Sequence, residues 1–308
     1  MTTLTETAPP AVTEPQTAPS AVSVGDDAEW LEIKPSRGWV PVNLRELWQY
    51  RELLYFLTWR DVKVRYKQTA LGAAWAIIQP FMTMVVFTIF FGRLAKIPSD
   101  GIPYPIWSYC GLLPWTYFAY ALTQSTNSLV SSQNLIKKVY FPRLVIPFSS
   151  TLAGLLDLAI AFCLLVGMMF YFSIMPGWQV VFLPCLVLLA MALATGIGLW
   201  LSALNVEYRD IRYTIPFLTQ FWMFLSPVAY PASLVPESKL IWGVDVPFRT
   251  LYGLNPMTGV IEGFRWALLG KGNPPGAMFR VSAAVTALLF TAGLFYFRRM
   301  ERRFADVV

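Results

Sequence analysis

The sequence contains stretches that are too long and too apolar to belong to a soluble domain. Residues 70–92 and 179–204 carry no Asp, Glu, Lys or Arg. A helix needs about 20 apolar residues to cross a hydrocarbon layer about 30 Å thick, and it satisfies its own backbone hydrogen bonds there. Charged residues make up only 14% of the chain, whereas about 25% is usual in soluble domains. These features predict an all-α integral membrane protein.

Six stretches qualify as membrane-spanning helices. They are approximately 70–92, 105–130, 148–174, 179–204, 213–232 and 277–297. The third contains Asp157 near its middle. A carboxylate at that depth either takes part in function or fixes helix packing through a hydrogen bond. The sequence leaves both roles open.

Lys and Arg concentrate on one side of these predicted spans. If the N-terminus is cytosolic, most of the 24 basic residues fall in cytosolic segments, as the positive-inside bias requires. Both termini are then cytosolic. The net charge of +6 is explained by topology and by anionic lipid, so we expect no nucleic-acid partner.

Two segments precede the first span. Residues 1–30 are rich in Thr, Pro and Ala and predict a disordered cytosolic tail. Residues 31–69 form a cytosolic segment, in which apolar residues recur at steps of three and four from Leu44 to Val62. This spacing predicts an amphipathic helix over 43–67 that lies in the membrane interface. Residues 70–308 form the transmembrane domain.

A long segment, 233–276, connects the last two predicted spans on the outside. Apolar residues at helical spacing predict a re-entrant or interfacial helix over 256–269, which is too short to cross comfortably. A second, weaker helix is predicted around 233–242. The alternative is an ordinary folded surface loop.

Several kinds of chemistry are missing from the sequence. There is no G-x-x-x-x-G-K-[ST] loop for ATP phosphates and no histidine for a triad or a metal cluster. Cys110, Cys163 and Cys185 lie far apart in apolar surroundings, so we expect buried small hydrophobic residues. We therefore predict no catalytic, cofactor-binding or metal-binding residue. The scarcity of ionisable groups within the spans argues against a transporter that powers itself by proton coupling.

Four stretches resemble one family in order along the chain. They are "RDVKVRYKQTALGAAWAIIQP" (60–80), "NLIKKVYFPRLVIP" (134–147), "NVEYRDIRYTIPFLTQFWMFLSPVAYP" (205–231) and "NPMTGVIEGFRWALLG" (255–270). Together with the six-span pattern they are similar to the permease subunits of ABC-2-type polysaccharide exporters, which export O-antigen, capsule or teichoic acid.

The resemblance implies a half-transporter without a cofactor of its own. Two such permeases form a homodimer, and each binds a nucleotide-binding ABC ATPase subunit that holds ATP and Mg²⁺. The complex moves a polyprenyl-linked polysaccharide across the bacterial inner membrane. The family pattern also makes the helix over 43–67 an interface element and the region of about 233–269 a pair of external gate helices.

The same resemblance places a helix that couples the ATPase to transport between spans two and three, at about 131–146. The residues expected to contact the ATPase are Asn134, Lys137, Lys138, Tyr140, Phe141, Pro142 and Arg143. Tyr140 and Phe141 would present apolar knobs to a cleft in that partner. The alternative is a loop whose charges set topology.

Two further sets of residues are predicted for the cargo. Sugars present apolar C–H faces and hydroxyl groups, so a path that lets them slide needs aromatic surfaces rather than fixed ion pairs. The first choices for a glycan channel are Trp75, Phe87, Phe221 and Trp222. The candidates for a pyrophosphate entrance are Arg60, Lys63, Arg65 and Lys67, which otherwise anchor the chain and set its topology.

Two alternative functions remain open. The chain could be an ABC-2 exporter of a drug or a small lipid, or a membrane-embedded glycan-processing enzyme.

Overall fold

The computed structural model describes most of the chain after its first 47 residues. The described residues are 48–67, 72, 74–241, 244–270 and 276–301, all within the compact unit Trp39–Val308. The predicted tail, 1–30, and the beginning of the predicted interface segment lie outside these residues.

The described chain is mainly helical. The longer helices are α1 (Arg51–Lys67), α2 (Ala74–Phe87, continued by a π-helical segment, Thr88–Leu94), α3 (Tyr104–Ser131), α4 (Gln133–Lys138), α5 (Val145–Tyr171), α6 (Leu183–Glu207), α7 (Ile211–Leu225), α8 (Phe248–Tyr252), α9 (Pro256–Leu269) and α10 (Ala277–Met300).

Four helical segments are long and apolar enough to cross a membrane. They are Ala74–Leu94, Val145–Tyr171, Trp178–Glu207 and Ala277–Met300. They coincide with the first, third, fourth and sixth predicted spans. The segment Trp178–Glu207 begins with a short 3₁₀ turn, Trp178–Phe182, before α6. The all-α, multi-pass membrane architecture is confirmed to this extent.

The other two predicted spans differ from these four. Helix α3 has 28 residues and is long enough, but its Tyr, Ser, Thr and Gln residues lower its hydropathy. Helix α7 has 15 residues, so it rises only about 22 Å. The span predicted over 213–232 ends as a helix at Leu225, because Ser226 is extended (ψ 149°) and precedes Pro227, which disfavours helical geometry.

Helix α3 lies at the centre of the bundle. It packs against α2, α5, α6, α7 and α9, and Trp107 and Phe118 on it are almost completely buried. Some of its polar groups are paired with other helices: the Tyr109 hydroxyl donates to the Ala161 carbonyl at 3.1 Å. The Asn205 amide of α6 donates to the Thr126 carbonyl at 3.0 Å. Burial among other helices explains why α3 carries more polar residues than the outer helices.

Helices α6 and α10 cross at two glycines. A Cβ added at Gly293 would lie 2.0 Å from the Gly196 carbonyl oxygen, and one added at Gly196 would lie 2.5 Å from the Phe290 Cα. Both obstacles are backbone atoms, which cannot move aside as a side chain can. Small residues at such crossings allow close van der Waals packing, the main attraction between helices in lipid.

The helix predicted over 256–269 is present as α9. Its N-cap is Asn255, whose side-chain oxygen accepts the Met257 N–H at 3.2 Å, and Pro256 occupies the first turn. It ends at Gly270, which has a left-handed φ of 64°. These are the start and stop signals that local sequence provides.

The second helix of that segment, predicted around 233–242, is wrong. The chain has a 3₁₀ turn at Ala232–Leu234 and then a two-stranded antiparallel hairpin, β1 (Lys239–Ile241) and β2 (Val244–Val246), with Leu240 opposite Asp245. Pro236 interrupts any helix there because it has no backbone N–H. The β-branched residues that follow favour a strand.

Helix α1 forms the described part of the segment predicted as an amphipathic helix over 43–67, and its place in the membrane interface stays a prediction. It packs along α5 and buries Leu57 and Val62, while Tyr55, Phe56 and Trp59 are exposed.

The expectation that all three cysteines are buried is wrong: Cys110 is buried, but Cys163 and Cys185 are exposed. The outer faces of membrane helices are apolar too, so an apolar context does not predict burial in a bundle.

Candidate functional site

A cleft of about 550 Å³ lies between α2, α3, α5 and α7, beside the end of α1. Its aromatic lining consists of Trp75, Phe87, Trp115, Tyr117, Tyr120 and Phe224. Its amide and hydroxyl lining consists of Gln79, Thr83, Thr116, Thr123, Gln124, Thr219 and Gln220. Arg65 and Asp157 are the charged residues among the described residues that line it.

This lining suits a hydroxylated ligand that must move. Aromatic faces contact apolar C–H surfaces, while amides and hydroxyls exchange hydrogen bonds with hydroxyl groups. The charged residues lie together, so the rest of the described lining offers no ion pair that would hold a ligand in place.

The contribution of α3 to the cleft was missed by reasoning from the sequence. Thr116, Tyr120, Thr123 and Gln124 all line the cleft. They recur at steps of three and four within a predicted span, which places them on one helix face. A polar stripe in a membrane helix was the available signal.

Asp157, whose role the sequence left open, is paired with α1. Its carboxylate lies 2.6 Å from the Arg65 guanidinium and accepts a hydrogen bond from the Tyr66 hydroxyl. Burial, and then that hydrogen bond, raise the pKa of Tyr66, so the phenol stays protonated as a donor. Asp157 therefore fixes helix packing, and it does so at the wall of the cleft.

Tyr120 of α3 completes this charged cluster. The Arg65 guanidinium lies 4.0 Å from the centre of its ring, within the range of a cation–π contact. A Cβ added at Gly154 would lie 2.8 Å from the Tyr120 ring. Glycine on α5 is therefore required for the ring to lie where it supports Arg65.

The four predicted entrance cations are not brought together. Arg65 lies in the cleft, whereas Arg60 pairs with Asp61 at 2.8 Å. Lys63 lies over the Trp59 ring at 5.6 Å, and Lys67 is exposed. A common role for all four in an anionic entrance stays a prediction.

The four predicted channel aromatics also separate into different places. Trp75 and Phe87 line the cleft. Phe221 is exposed and stacks on Phe217 at 6.5 Å. Trp222 is half-buried against the core, and its indole N–H donates to the side chain of Asn255, the N-cap of α9, at 2.9 Å. Their role with a glycan stays a prediction.

Among the described residues, no group of three or more Cys, Asp or Glu side chains is placed to hold a metal ion.

The predicted coupling segment has an exposed part and a buried part. The exposed residues are Asn134, Lys137, Lys138 and Tyr140. Phe141 is 5% exposed and belongs to a buried cluster with Leu57 of α1 and Phe297 of α10, and Pro142 is buried. The expectation that Phe141 presents a surface knob is therefore wrong, because its ring anchors the segment to the bundle.

Arg143 ends this segment with contacts to α10. Its backbone N–H donates to the Glu301 carboxylate at 3.1 Å, and its guanidinium donates to the Glu301 carbonyl oxygen. Glu301 also pairs with Arg298 at 3.2 Å. The segment is thus connected to the C-terminal helix.

The ABC-2 type transporter family matches residues 52–269 of this chain. The chain belongs to the ABC-2 type transporter family. This region contains the cleft, the charged cluster and the exposed segment around α4, and the match confirms the resemblance drawn from the four sequence stretches.

Three curated relatives of this ABC-2 transporter are proteins of export or transport systems. It is 28% identical to the O-antigen export system permease protein RfbA of Myxococcus xanthus, and the alignment covers 86% of this chain and 98% of that protein. It is 26% identical over 83% of its length to 95% of the protein of the same name in Klebsiella pneumoniae. It is 24% identical over 79% of its length to 91% of the polysialic acid transport protein KpsM of Escherichia coli.

A second charged group in this ABC-2 transporter was also missed by reasoning from the sequence. Glu262 and Arg265 of α9 form an ion pair of 2.9 Å with side chains 6% and 2% exposed. Arg265 also donates to the Val228 carbonyl at 2.9 Å and lies 3.5 Å from the centre of the Trp107 ring on α3. A Glu and an Arg three residues apart in an apolar helix were the available signal.

Proposed function

We propose that this chain is the permease subunit of an ATP-driven exporter that moves a lipid-linked polysaccharide across the bacterial inner membrane. Two copies form a homodimer, and each binds a separate ABC ATPase subunit that holds ATP and Mg²⁺. The chain itself catalyses no reaction.

The cleft is the observation that carries this proposal. Its walls combine aromatic rings with amide and hydroxyl groups, which is the surface that a sliding chain of sugars needs. The printed names of the relatives support the same cargo, because O-antigen and polysialic acid are both polysaccharides.

The homodimer is supported by helix α7. Tyr213, Phe217, Phe221 and Phe224 are exposed along it, at steps of three and four that place them close together on the helix. Phe224 also lines the cleft, together with Thr219 and Gln220 of the same helix. We propose that the second copy covers this aromatic surface and closes the path between the two copies.

Six spans and cytosolic termini complete the proposed topology, and the fifth span is α7 continued by the mostly buried residues 226–232. Helix α3 rises about 42 Å over its 28 residues, enough to cross the membrane. Basic residues end α4, at Lys137 and Lys138, and α10, at Arg298 and Arg299. Placing the C-terminal ends of α4 and α10 in the cytosol follows the positive-inside bias.

The ATPase contacts the exposed part of the segment around α4 in this proposal. Lys137, Lys138 and Tyr140 are available there, while buried Phe141 and the Arg143–Glu301 contacts hold the segment to the bundle. A movement of the ATPase is then transmitted to the helices. Helix α9 and the β1–β2 hairpin form the external gate.

Reconstitution of the permease with its ATPase in liposomes tests the proposal. The measurement is ATP-dependent delivery of lipid-linked polysaccharide to the far side, read with a glycan-binding lectin. Trp75→Ala removes a ring from the cleft, and one such contact contributes about 0.5–1.5 kcal/mol, so delivery falls about threefold to tenfold. The control is Trp200→Ala, whose ring is on α6, outside the cleft lining, and 43% exposed.

Equal losses in the two variants, or none in either, refute the cleft as the path. Delivery of a fluorescent lipid or drug without any delivery of polysaccharide supports the alternative cargo instead.

A further inference from the structure

The predicted entrance cations differ in their access to the cleft. Arg65 is part of its lining, while Arg60, Lys63 and Lys67 are not among the described lining residues. The cluster of Arg65, Tyr66, Tyr120 and Asp157 joins α1 to α5 and α3 at this wall.

Both side chains of this ion pair line the cleft, while the two paired atoms, Arg65 Nη1 and Asp157 Oδ2, are themselves buried. The side chains of Arg65 and Asp157 are 35% and 16% exposed, and both belong to the cleft lining. A ligand in the cleft can therefore approach the exposed part of the Arg65 side chain, and Nη1 becomes accessible when the side chain turns away from Asp157. The Tyr66 hydroxyl contacts the other carboxylate oxygen, so Asp157 keeps one partner if Arg65 turns to a ligand.

A phosphate group is the ligand that competes best for this arginine. Guanidinium binds phosphate through two parallel charge-assisted hydrogen bonds. A pyrophosphate that joins a polyprenol to a glycan carries a negative charge on each of its two phosphates at neutral pH, whereas Asp157 carries a single charge. The cost of the exchange is that the mostly buried Asp157 loses its cation, so the carboxylate opposes binding.

We propose that Asp157 is an internal counter-ion that a phosphate or pyrophosphate headgroup displaces from Arg65, so that Asp157 sets how tightly the cleft binds such a headgroup. The inference deepens the proposed function, on which it rests for the nature of the lipid-linked cargo. It makes Asp157 a residue that selects for strongly anionic headgroups.

The exchange also affects how α1 is held. Arg65 and Tyr66 are on α1, whereas Asp157 is on α5, and the Arg65–Asp157 pair is an ionic link between them. When a headgroup takes Arg65, this link is lost and α1 is held by Tyr66, by the weaker Ser150–Asp61 contact at 3.5 Å and by apolar packing. Headgroup binding therefore loosens the end of α1.

Binding to the purified full-length permease tests the proposal. The probes are a polyprenyl pyrophosphate and phosphatidylglycerol, measured by native mass spectrometry, and inorganic pyrophosphate, measured by thermophoresis. Asp157→Asn keeps the shape of the side chain and an acceptor for Tyr66 but removes the competing charge. We expect it to bind polyprenyl pyrophosphate about tenfold more tightly, which corresponds to about 1.4 kcal/mol.

Two matched controls define the effect. Asp61→Asn removes a carboxylate from α1 outside the described cleft lining, and Arg51→Gln removes a cation there; both change affinity less than twofold. Arg65→Gln weakens binding at least tenfold. In the Arg65→Gln background, Asp157→Asn no longer raises affinity, because the competition is gone.

A gain in affinity separates this role from a purely structural one, since loss of a packing contact does not tighten binding. An unchanged or weaker affinity of folded Asp157→Asn overturns the proposal, as does an equal gain from Asp61→Asn or an equal gain for phosphatidylglycerol. A gain for both pyrophosphate probes supports a site for the phosphate group itself, and a gain for polyprenyl pyrophosphate alone supports a lipid headgroup site.

The assay contains neither polysaccharide nor ATPase. Tight headgroup binding with no glycan delivery in liposomes therefore refutes the proposed function and leaves the ion exchange standing. Normal glycan delivery by the wild type, together with an unchanged headgroup affinity in Asp157→Asn, refutes the ion exchange and leaves the proposed function standing.

Discussion

The buried ion pair of α9 gives the sharpest stability prediction. Arg265 is held by the Glu262 carboxylate, by the Val228 carbonyl and by the face of Trp107. Arg265→Met removes all three contacts and leaves Glu262, 6% exposed, without its cation. Removing one partner of a buried pair typically costs about 3–5 kcal/mol, because an uncompensated charge stays behind.

The double variant Glu262→Met/Arg265→Met is expected to lose less. It leaves no buried charge, and its cost is the unpaired Val228 carbonyl and the unpaired Ala232 N–H, which contacts Glu262 at 3.4 Å. Each unpaired buried group costs about 1–3 kcal/mol, and two apolar side chains recover part of that loss by packing. The double variant should therefore be more stable than Arg265→Met alone.

Unfolding of the purified permease in mixed micelles, followed by circular dichroism over a detergent titration, measures these free energies. The wild type, both single variants and the double variant form a complete cycle. Losses that simply add would refute the reasoning, because they would mean that the pair is not buried together. Gly111→Ala provides a second test of the position of Arg265. A Cβ at Gly111 would lie 2.6 Å from the Arg265 guanidinium, so this substitution should also destabilise the permease.

Three further outcomes follow from the packing. Gly293→Ala should cost about 1–3 kcal/mol in unfolding free energy by forcing α6 and α10 apart, whereas Gly167→Ala, with open space around it, should stabilise by up to about 1 kcal/mol; equal effects in detergent unfolding would contradict this crossing. Phe141→Ala should cost about 3–5 kcal/mol, while Tyr140→Ala, 75% exposed, should keep stability but reduce ATPase coupling to transport. Trp222→Phe should lower stability by about 1 kcal/mol through loss of its hydrogen bond to α9, and an unchanged unfolding midpoint would argue against that bond.

The helices were largely predictable because their signals are local. The residues Asn255–Pro256 and Gly270 mark the start and the end of helix α9 within its own sequence. The four most apolar spans are predictable from their composition. The error at 233–242 came from weighing apolar spacing over Pro236, which lacks the N–H a helix needs. The early end of α7 came from Ser226–Pro227 for a related reason.

The functional surfaces were less predictable because they depend on which helix faces meet. The sequence predicts Phe141 to be an exposed aromatic because charged residues surround it, but its ring is buried against α1 and α10. The sequence places Trp222 among the predicted channel aromatics, and only the structure shows that its half-buried indole donates a hydrogen bond to Asn255. Both are contacts between elements distant in the chain, which no local pattern specifies.

By itself the sequence determined that the chain is a helical membrane protein, where most of its helices lie and which family it resembles. Backbone hydrogen bonds in lipid are satisfied within each helix, so these features follow from short stretches. Only the tertiary structure decided that Arg65 pairs with Asp157 at a cleft and that Arg265 lies buried against Trp107. Such pairs join residues from different helices, and the packing of whole helix faces determines which of them meet.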